Sequence, residues 1–227
     1  MENTKKRREF IKDRIYEDVR HDIITFRYQP GEKLSEYSLA EKFGVSRSPI
    51  RSVLQKLESE SLVVIDPQRG TFVTKLDYDY IRDIIYLRWC VESTLMCQIA
   101  EQQPEALLLA LRECLQKQKT LLTGNNIDPE EFTALDNAFH EAIYTGNHRE
   151  NLWDVIQEVN TSYLRFRMLD LVQGNSHRQI YQDHCKLVQY MEKKDTQNLR
   201  ILLHQHLNGN LQTNEGIKRE YKEYFTA

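Results

Sequence analysis

The stretch EKFGVSRSPIRSVLQKLESESLV, residues 41–63, joins a tight turn to a long amphipathic helix. Gly44 is a helix-ending residue, and Ser46 stands where the next helix would be capped. The apolar residues of that next helix recur at helical spacing: Ile50, Val53, Leu54 and Leu57. Two arginines, Arg47 and Arg51, lie one turn apart at its N-terminal end. A helix that presents this end to a polyanion would carry such a pair.

The residues around this stretch complete a winged helix-turn-helix. An amphipathic helical pattern covers residues 9–26 and is broken by Pro30-Gly31. Ser35 is placed to cap a short helix that ends at Gly44. After the long helix come LVVID, the turn PQRG and TFVTKL, two short β-branched runs around a glycine-containing loop, which predict a hairpin. Three helices followed by a hairpin form the winged helix-turn-helix arrangement.

The start of the second helix of this motif is predicted to contact DNA. The N-terminal residues of such a helix reach base edges, where arginine is shaped for a bidentate contact with guanine. Small hydroxyls at a helix N-terminus suit phosphate oxygens, and a glycine at the wing tip lets the backbone approach a minor groove. A solvated arginine pair would explain an isolated Ser-Arg-Ser, but the ordered elements around it favour DNA binding. The predicted DNA-binding residues are Ser46, Arg47, Ser48, Arg51, Arg69 and Gly70.

Length and charge predict two domains, residues 1–76 and 77–227, because 227 residues exceed the usual size of one domain. The net charge of -3 hides an asymmetry. Residues 1–75 hold 15 Lys/Arg against 12 Asp/Glu, a net of +3, and the remainder holds 16 against 22, a net of -6. A mildly basic nucleic-acid-binding domain on an acidic body fits this division.

Composition favours a cytoplasmic protein without a membrane partner. The first residues, MENTKKRREF, are charged and polar rather than a secretory signal, and the apolar stretch 106–111 is too short to cross a bilayer. The four cysteines form no CxxC pair and are interpreted as reduced thiols.

From Asp77 onward the pattern is helical throughout, which predicts a mainly α protein with a C-terminal antiparallel bundle of six or seven helices. Turn-forming residues separate the segments at Pro104, TGNNIDP, TGNH and VQGNS. The predicted helical segments are roughly 77–102, 104–122, 128–146, 149–172, 176–193 and 195–223.

Histidines and one aspartate in the second domain suggest a metal site. Asp136 and His140 in LDNAFHEAIY are four residues apart and share a helical face, while His184 and His206 lie on the last two long segments. One carboxylate and three imidazoles would suit zinc, nickel, manganese or iron with coordination positions left open. Spacing alone leaves open that each histidine is an ordinary polar residue of a helix.

Residues 29–73, QPGEKLSEYSLAEKFGVSRSPIRSVLQKLESESLVVIDPQRGTFV, resemble the N-terminal domain of GntR-family bacterial transcription regulators. Ser61 departs from the family pattern, which usually has glycine there. The resemblance implies a homodimer on a short palindromic double-stranded DNA operator, with Arg47 and Arg51 reading the half-site and Arg69-Gly70 in the minor groove. The matching residues are Pro30, Gly31, Leu34, Glu36, Leu39, Ala40, Gly44, Val45, Ser46, Arg47, Pro49, Arg51, Leu54, Leu57, Leu62, Val63, Arg69, Gly70 and Val73.

Residues 77–220 resemble the all-helical effector-binding (FCD) domain of the FadR subfamily, through IRDIIYLRWCVES, LDNAFHEAIY, YQDHCKLVQYMEKKD and LLHQHL. The resemblance implies that the metal ligands are Asp136, His140, His184 and His206, with zinc favoured over nickel, manganese and iron. His206 is favoured over the nearby His204 because it carries the His-Leu pair. Asp183 and Tyr190 depart from the family pattern, and neither removes a ligand.

The same resemblance implies that Arg88 binds the carboxylate of a small organic or sugar acid effector, since its fork suits bidentate contact. From spacing alone, Arg88 and Glu92 could equally be an exposed ion pair. Arg165 and Arg167 are weaker candidates for the same pocket, and their role is left open.

The predicted function is a DNA-binding transcriptional regulator, usually a repressor, and not an enzyme. One alternative is a helical metallohydrolase fused to a DNA-binding head, with a metal-bound water as nucleophile. Another is a DNA-binding module whose helical half only dimerises.

Overall fold

The computed structural model describes residues 2–124, 126–172, 176–209 and 211–226, with side chains at all of these except 2–8 and 211–215. Internal contacts divide the chain into two units. The N-terminal unit runs through Tyr78 and includes the residues from Tyr221 onward, and the helical unit is Asp79–Glu220.

The N-terminal unit has the predicted winged helix-turn-helix. Its strands form one antiparallel sheet in the order β1-β3-β2, with Phe72 of the central strand opposite Lys33 on one side and Val64 on the other. The hairpin was predicted, whereas the third strand, β1, was not, because two residues carry no alternation signal. The elements are α1 (Glu2–Ile24), β1 (Lys33–Leu34), α2 (Glu36–Phe43), α3 (Arg47–Ser59), β2 (Val63–Asp66) and β3 (Gly70–Val73).

Turn chemistry fixes the angle at which α3 follows α2. The Ser35 side chain accepts the Ser38 N–H at the start of α2, as predicted. Gly44 ends this helix with φ 64, a left-handed conformation that glycine adopts without steric cost. Ser46 occupies the N-cap position of α3, but its side chain makes no capping hydrogen bond. The helix start is therefore held by the turn and the core rather than by the predicted Ser46 cap.

The core of the N-terminal unit lies between α1, α3 and the sheet. Burying each large aliphatic side chain there contributes about 1.5–3 kcal/mol. Ser61, which follows α3, has φ 58, a conformation that favours glycine, so serine here carries a backbone strain of about 1–2 kcal/mol. The most deeply buried members of this core are Val19, Ile23, Ile50, Leu54, Leu57 and Leu62.

The last residues of the chain pack within the N-terminal unit, although the sequence assigned them to the second domain. Leu76 donates its N–H to the Tyr224 carbonyl at 2.8 Å and accepts from the Thr226 N–H at 2.9 Å, which makes a parallel bridge with Phe225. The Phe225 side chain is buried, and Tyr224 stacks on Phe26 with ring centroids 5.8 Å apart. A buried aromatic and two backbone hydrogen bonds explain why this segment lies with the first unit.

The helical unit confirms the mainly α fold class and contains eight described helices where six or seven were predicted. Segment 149–172 is two helices that meet at Asn160, and segment 195–223 is two that meet after Gly209 (φ 61, ψ -173). The predicted turns TGNNIDP and VQGNS include residues 125 and 173–175, which lie outside the described residues. The helices are α4 (Tyr78–Gln102), α5 (Glu105–Leu121), α6 (Pro129–Thr145), α7 (Glu150–Val159), α8 (Thr161–Val172), α9 (His177–Glu192), α10 (Thr196–Asn208) and α11 (Leu211–Glu220).

A membrane-spanning helix would need about 20 apolar residues. In the part of the chain that the structure describes, no helix meets that requirement of length and apolarity.

Candidate functional site

The four predicted metal ligands come together inside the helical unit. Helix α6 supplies Asp136 and His140 from one face, α9 supplies His184 and α10 supplies His206. All four side chains are buried, and one ligand atom from each lies within 4.8 Å of the others. The His206 Nε2 atom is 3.2 Å from His184 Nε2 and 3.3 Å from His140 Nε2. The separate sequence segments therefore form a single cluster.

The His140 ring is oriented by an acceptor on its outer nitrogen. Its Nδ1 lies 2.7 Å from a Glu92 carboxylate oxygen, so Nδ1 carries the proton and Nε2 presents a lone pair to the cluster. Glu92 also accepts Arg88 Nε at 2.7 Å and the Tyr144 hydroxyl at 3.3 Å. Burial disfavours its charge, but Arg88 and then His140 outweigh this and lower the pKa of Glu92 to about 2. Glu92 is thus an ionised carboxylate that orients one histidine of the cluster.

The His184 ring is oriented by an amide. Its Nδ1 is 3.0 Å from Gln118 Oε1, and Gln118 Nε2 donates to the Leu135 carbonyl at 3.1 Å. That second bond fixes which end of the amide faces the histidine, since only the oxygen accepts. Gln118 is fully buried, so the amide has no solvent partner to turn toward.

The His206 ring has a looser outer partner. Its Nδ1 lies 3.6 Å from an Asp183 carboxylate oxygen, beyond ordinary hydrogen-bond length but close enough for electrostatic attraction. Gln179 Nε2 donates to the same aspartate at 2.8 Å. Each of the three histidines therefore has an acceptor on the Nδ1 side, and their Nε2 atoms face one another.

The surroundings of the cluster shift the pKa values of its side chains toward the forms that can bind a metal. Burial opposes ionisation of Asp136, but Arg167 and then the three histidines lower its pKa well below the usual range. Burial, followed by His206, lowers the pKa of His184, and burial also lowers the pKa of His206, with Asp183 acting in the opposite direction. These directions favour neutral imidazoles at His184 and His206 and an ionised carboxylate at Asp136 at neutral pH, which are the forms that bind a metal.

This donor set fits a divalent metal. The Nε2 atom of His206 lies 3.2 and 3.3 Å from those of its two neighbours, so three ring nitrogens converge on one point, where a bound cation could accept their lone pairs. Neutral imidazoles with one carboxylate are ligands that zinc and other first-row metals accept.

Three arginines of the helical unit are buried: Arg88, which the family resemblance placed in the effector pocket, and Arg165 and Arg167, the weaker candidates for it. Arg88 is 1% exposed and bound to Glu92, so the alternative of an exposed ion pair is wrong. Arg167 donates to the Tyr163 hydroxyl at 3.0 Å and lies 3.5 Å from Asp136. Burial lowers the pKa of the Arg165 guanidinium to about 10, still well above neutral pH. Two guanidiniums, those of Arg88 and Arg167, therefore lie beside the cluster, each next to an ionised carboxylate.

The predicted DNA-reading arginines lie together on the N-terminal unit. The side chains of Arg47 and Arg51 are 62% and 61% exposed, and both donate to the carboxylate of Glu36. Ser48 is on the same first turn of α3, where its carbonyl accepts the Ser52 hydroxyl. Solvent reaches both guanidiniums, as a DNA-binding surface requires.

The wing has the predicted tip. Asp66 accepts the backbone N–H groups of Gln68 and Arg69 at 2.8 and 3.0 Å, which closes the turn between β2 and β3. Gly70 has φ 108, and a Cβ at this position would lie 2.9 Å from Lys33 Cε. The backbone conformation therefore favours glycine at the wing tip, whereas the Lys33 contact involves the end of a flexible side chain that could move aside.

A winged helix-turn-helix joined to a helical unit with a buried ligand-type cluster defines the class of DNA-binding regulators with a sensing domain. The sequence model described as "Bacterial regulatory proteins, gntR family" matches residues 11–73, and the FCD domain model matches residues 83–209. The chain belongs to the gntR family of bacterial regulatory proteins and carries an FCD domain. It is a DNA-binding transcriptional regulator, which confirms the predicted family and the prediction that it is not an enzyme.

Relatives span nearly the same length. The chain is 25% identical over 216 residues to the "HTH-type transcriptional repressor RspR" of Escherichia coli (strain K12), covering 95% of this chain and 94% of the relative. It is 26% identical over 197 residues to the "Gluconate operon transcriptional repressor" of Bacillus subtilis (strain 168), covering 85% and 80%. The crystal structure of a GntR transcriptional regulator from Rhodococcus sp. RHA1 is similar in fold, with a TM-score of 0.67, 22% identity and coverage of 92% and 98%.

Proposed function

We propose that this regulator binds a divalent metal in its FCD domain and that a small carboxylate effector, bound beside the metal, changes its affinity for an operator. The observation that carries the proposal is the buried cluster of Asp136, His140, His184 and His206. These four residues would hold the metal, with zinc first and nickel, manganese or iron as alternatives. The bound metal would supply open coordination positions for carboxylate oxygens.

Arg88 is proposed as the second anchor of the effector. Its Nε is bound to Glu92, while its Nη2 is buried and has no hydrogen-bond partner among the described residues. A buried guanidinium N–H without an acceptor costs about 1–3 kcal/mol, which a ligand carboxylate would recover. The charge of Arg167 nearby supports the choice of an anionic ligand, and a small organic or sugar acid fits this requirement.

Effector binding needs a route to the DNA-binding residues. Two covalent connections join the units, at Tyr78–Asp79 and at Glu220–Tyr221. Close to both connections, Leu76 and Phe225 are paired within the N-terminal unit. A displacement of α4 or α11 in the helical unit would act on this pair. A ligand regulates only if it binds one of two states better, and about 1–3 kcal/mol of coupling, or about 5–150-fold in operator affinity, is the usual scale.

We further propose a cytoplasmic repressor that acts as a homodimer on a palindromic operator and belongs to the FadR subfamily. Two relatives with high coverage are named repressors, which supports the direction of regulation. One winged helix covers little DNA, and two-fold symmetric operators match two-fold symmetric proteins. In each copy, Ser46, Arg47, Ser48 and Arg51 would contact a half-site, and Arg69-Gly70 would enter the minor groove.

The test is a thermal-shift screen of organic and sugar acids on apo and zinc-loaded protein. A ligand that binds only the native state raises the free energy of unfolding, by about 2.7 kcal/mol when its concentration is 100 times its Kd, and so raises the melting temperature. We expect stabilisation by zinc, and by at least one acid only when zinc is present. His206→Ala should lose both effects, whereas His204→Ala, an exposed histidine on the same helix, should keep them. Equal zinc stabilisation in both variants would contradict the proposed site.

A further inference from the structure

The arginines at the start of α3 are both held by one carboxylate from the preceding helix. Glu36 Oε2 accepts from Arg47 Nε at 3.2 Å and from Arg47 Nη2 at 2.8 Å. The same carboxylate accepts from Arg51, at 3.1 Å from Nε to Oε1 and at 3.1 Å from Nη2 to Oε2. Glu36 thus contacts the same edge, Nε and Nη2, of each guanidinium.

The guanidinium fork has donors beyond that edge. A planar guanidinium has five N–H groups, and contacts through Nε and Nη2 leave the two Nη1 hydrogens and one Nη2 hydrogen directed away from the carboxylate. The Nη1–Nη2 end is able to bind guanine O6 and N7 bidentately. Contact with Glu36 therefore aims both forks without using the end that would read a base.

The Glu36 carboxylate is in place before DNA binds. It is the first residue of α2, and the Ser35 cap and the Gly44 turn on either side of this helix fix its position relative to α3. Hydrogen bonds from Arg51 and then Arg47 lower the pKa of Glu36, so it remains ionised at neutral pH. Two long, exposed side chains are thereby restricted in their rotamers before any contact with DNA.

The same carboxylate also weakens attraction to phosphate. Arg47, Arg51 and Glu36 together carry one net positive charge where two arginines alone would carry two. Sequence-independent binding to DNA depends on neutralised phosphates, so one charge fewer lowers it. Contacts to base edges depend instead on arginine orientation. Glu36 is therefore in a position to favour specific over non-specific binding.

We propose that Glu36 is a positioning residue that sets DNA specificity by orienting Arg47 and Arg51 and by reducing their charge toward phosphate. The inference rests on the proposed role of the two arginines in base contacts. Removing the Glu36 charge should strengthen binding to random DNA and weaken discrimination for the preferred sequence. It should not simply reduce all DNA binding.

The experiment compares wild type, Glu36→Gln, Arg47→Ala and Glu41→Gln, a matched charge change at an exposed position on the same helix. The probes are a duplex selected by the wild-type protein from a random library and a random-sequence duplex of equal length, each titrated over a range of salt concentrations. For Glu36→Gln we expect the affinity for the random duplex to rise about fivefold near 0.15 M salt. The reason is one more positive charge facing phosphate, which should make the slope of log affinity against log salt concentration steeper by about 0.9 per DNA-binding unit. The ratio of specific to random affinity should fall at least tenfold, and Glu41→Gln should keep the wild-type ratio.

The outcomes separate the possible roles of Glu36. Glu36→Asp keeps the charge and shortens the side chain, so it should restore the wild-type salt slope and part of the ratio. If Glu36→Gln only made the protein less stably folded, it would lower the affinities for the specific and the random duplex equally, with an unchanged affinity ratio and salt slope. That result would overturn the inference. If Arg47→Ala reduces the ratio of specific to random affinity while Glu36→Gln leaves it unchanged, the inference about Glu36 fails and the proposed DNA-reading role of Arg47 stands. If Arg47→Ala has no effect, the proposed reading role fails and this inference fails with it.

Discussion

Replacing Gln118 by methionine should weaken metal binding without removing any ligand. In the wild type the Gln118 amide oxygen accepts from His184 Nδ1 at 3.0 Å, and its NH2 group donates to the Leu135 carbonyl at 3.1 Å. Methionine fills a similar volume but offers His184 no acceptor of comparable strength. The ring then loses the partner that fixes its tautomer and direction.

The magnitude follows from the burial of the pair. Leaving the His184 N–H without an acceptor costs about 1–3 kcal/mol, and loss of an outer partner typically lowers metal affinity about 10–100-fold. The Leu135 carbonyl is less affected because it lies within α6, where the helix supplies another donor. Gln118→Glu keeps an acceptor facing His184 but turns its second oxygen toward the Leu135 carbonyl, so it should recover part of the affinity lost in Gln118→Met.

The assay is competition for zinc between the apo protein and a chromophoric chelator near neutral pH, with circular dichroism to confirm folding. Gln116→Met is the matched control, because Gln116 is exposed on the same helix. Zinc affinity within about threefold of wild type for a folded Gln118→Met protein would refute the reasoning. Equal losses in both methionine variants would do so as well.

Four further predictions concern other parts of the molecule. Arg47→Ala should cost about 1–3 kcal/mol per half-site and relax specificity there, measured by operator titration at fixed salt; unchanged affinity would exclude α3 as the reading helix. Truncation after Glu220 should preserve DNA binding and abolish the response to an effector, measured by anisotropy; a full response would show that residues 221–226 transmit nothing. Zinc removal by a chelator should lower the melting temperature of the helical unit by about 5–10 °C, because zinc at 100 times its Kd stabilises the folded state by about 2.7 kcal/mol. An unchanged melting temperature would argue against a bound metal. Sedimentation of the protein with DNA should give a dimer, and a monomer at micromolar concentration would contradict the proposed symmetry.

Local patterns in the sequence predicted the winged helix-turn-helix well. Gly44 and the apolar spacing of α3 depend on residues a few positions apart, which periodicity and turn chemistry report directly. The sequence predicted α7 and α8 as one helix because the break at Asn160 contains no glycine or proline. It also placed the end of the chain with the helical domain, because only the burial of Phe225 reveals where the segment packs.

The cluster of proposed metal ligands was predictable, whereas the outer partners of its histidines were not. Asp136 and His140 stand four residues apart, so the helix itself puts them on one face. Gln118, by contrast, is 66 residues from His184 and cannot be distinguished in the sequence from the exposed Gln116. Its role depends on tertiary packing.

From the sequence, Arg165 and Arg167 were only weaker candidates for the pocket, and the contact made by Glu36 was not predicted. Arg165 and Arg167 lie in YLRFRML, where apolar residues surround both positions, and that pattern was a usable signal of burial. Glu36 matched the family pattern, but its contact with Arg47 depends on the angle between two helices.

The most direct test of the central claim is the operator dissociation constant of the zinc-loaded protein, measured at fixed salt across a panel of organic and sugar acids for wild type and His184→Ala. The account predicts that at least one acid changes the wild-type constant by about 5–150-fold, the usual range of allosteric coupling. It predicts no such change for His184→Ala, whose basal operator affinity should remain near that of wild type. An equal acid response in His184→Ala, or no response to any acid in the wild type, would contradict the claim that a metal-bound carboxylate controls DNA binding.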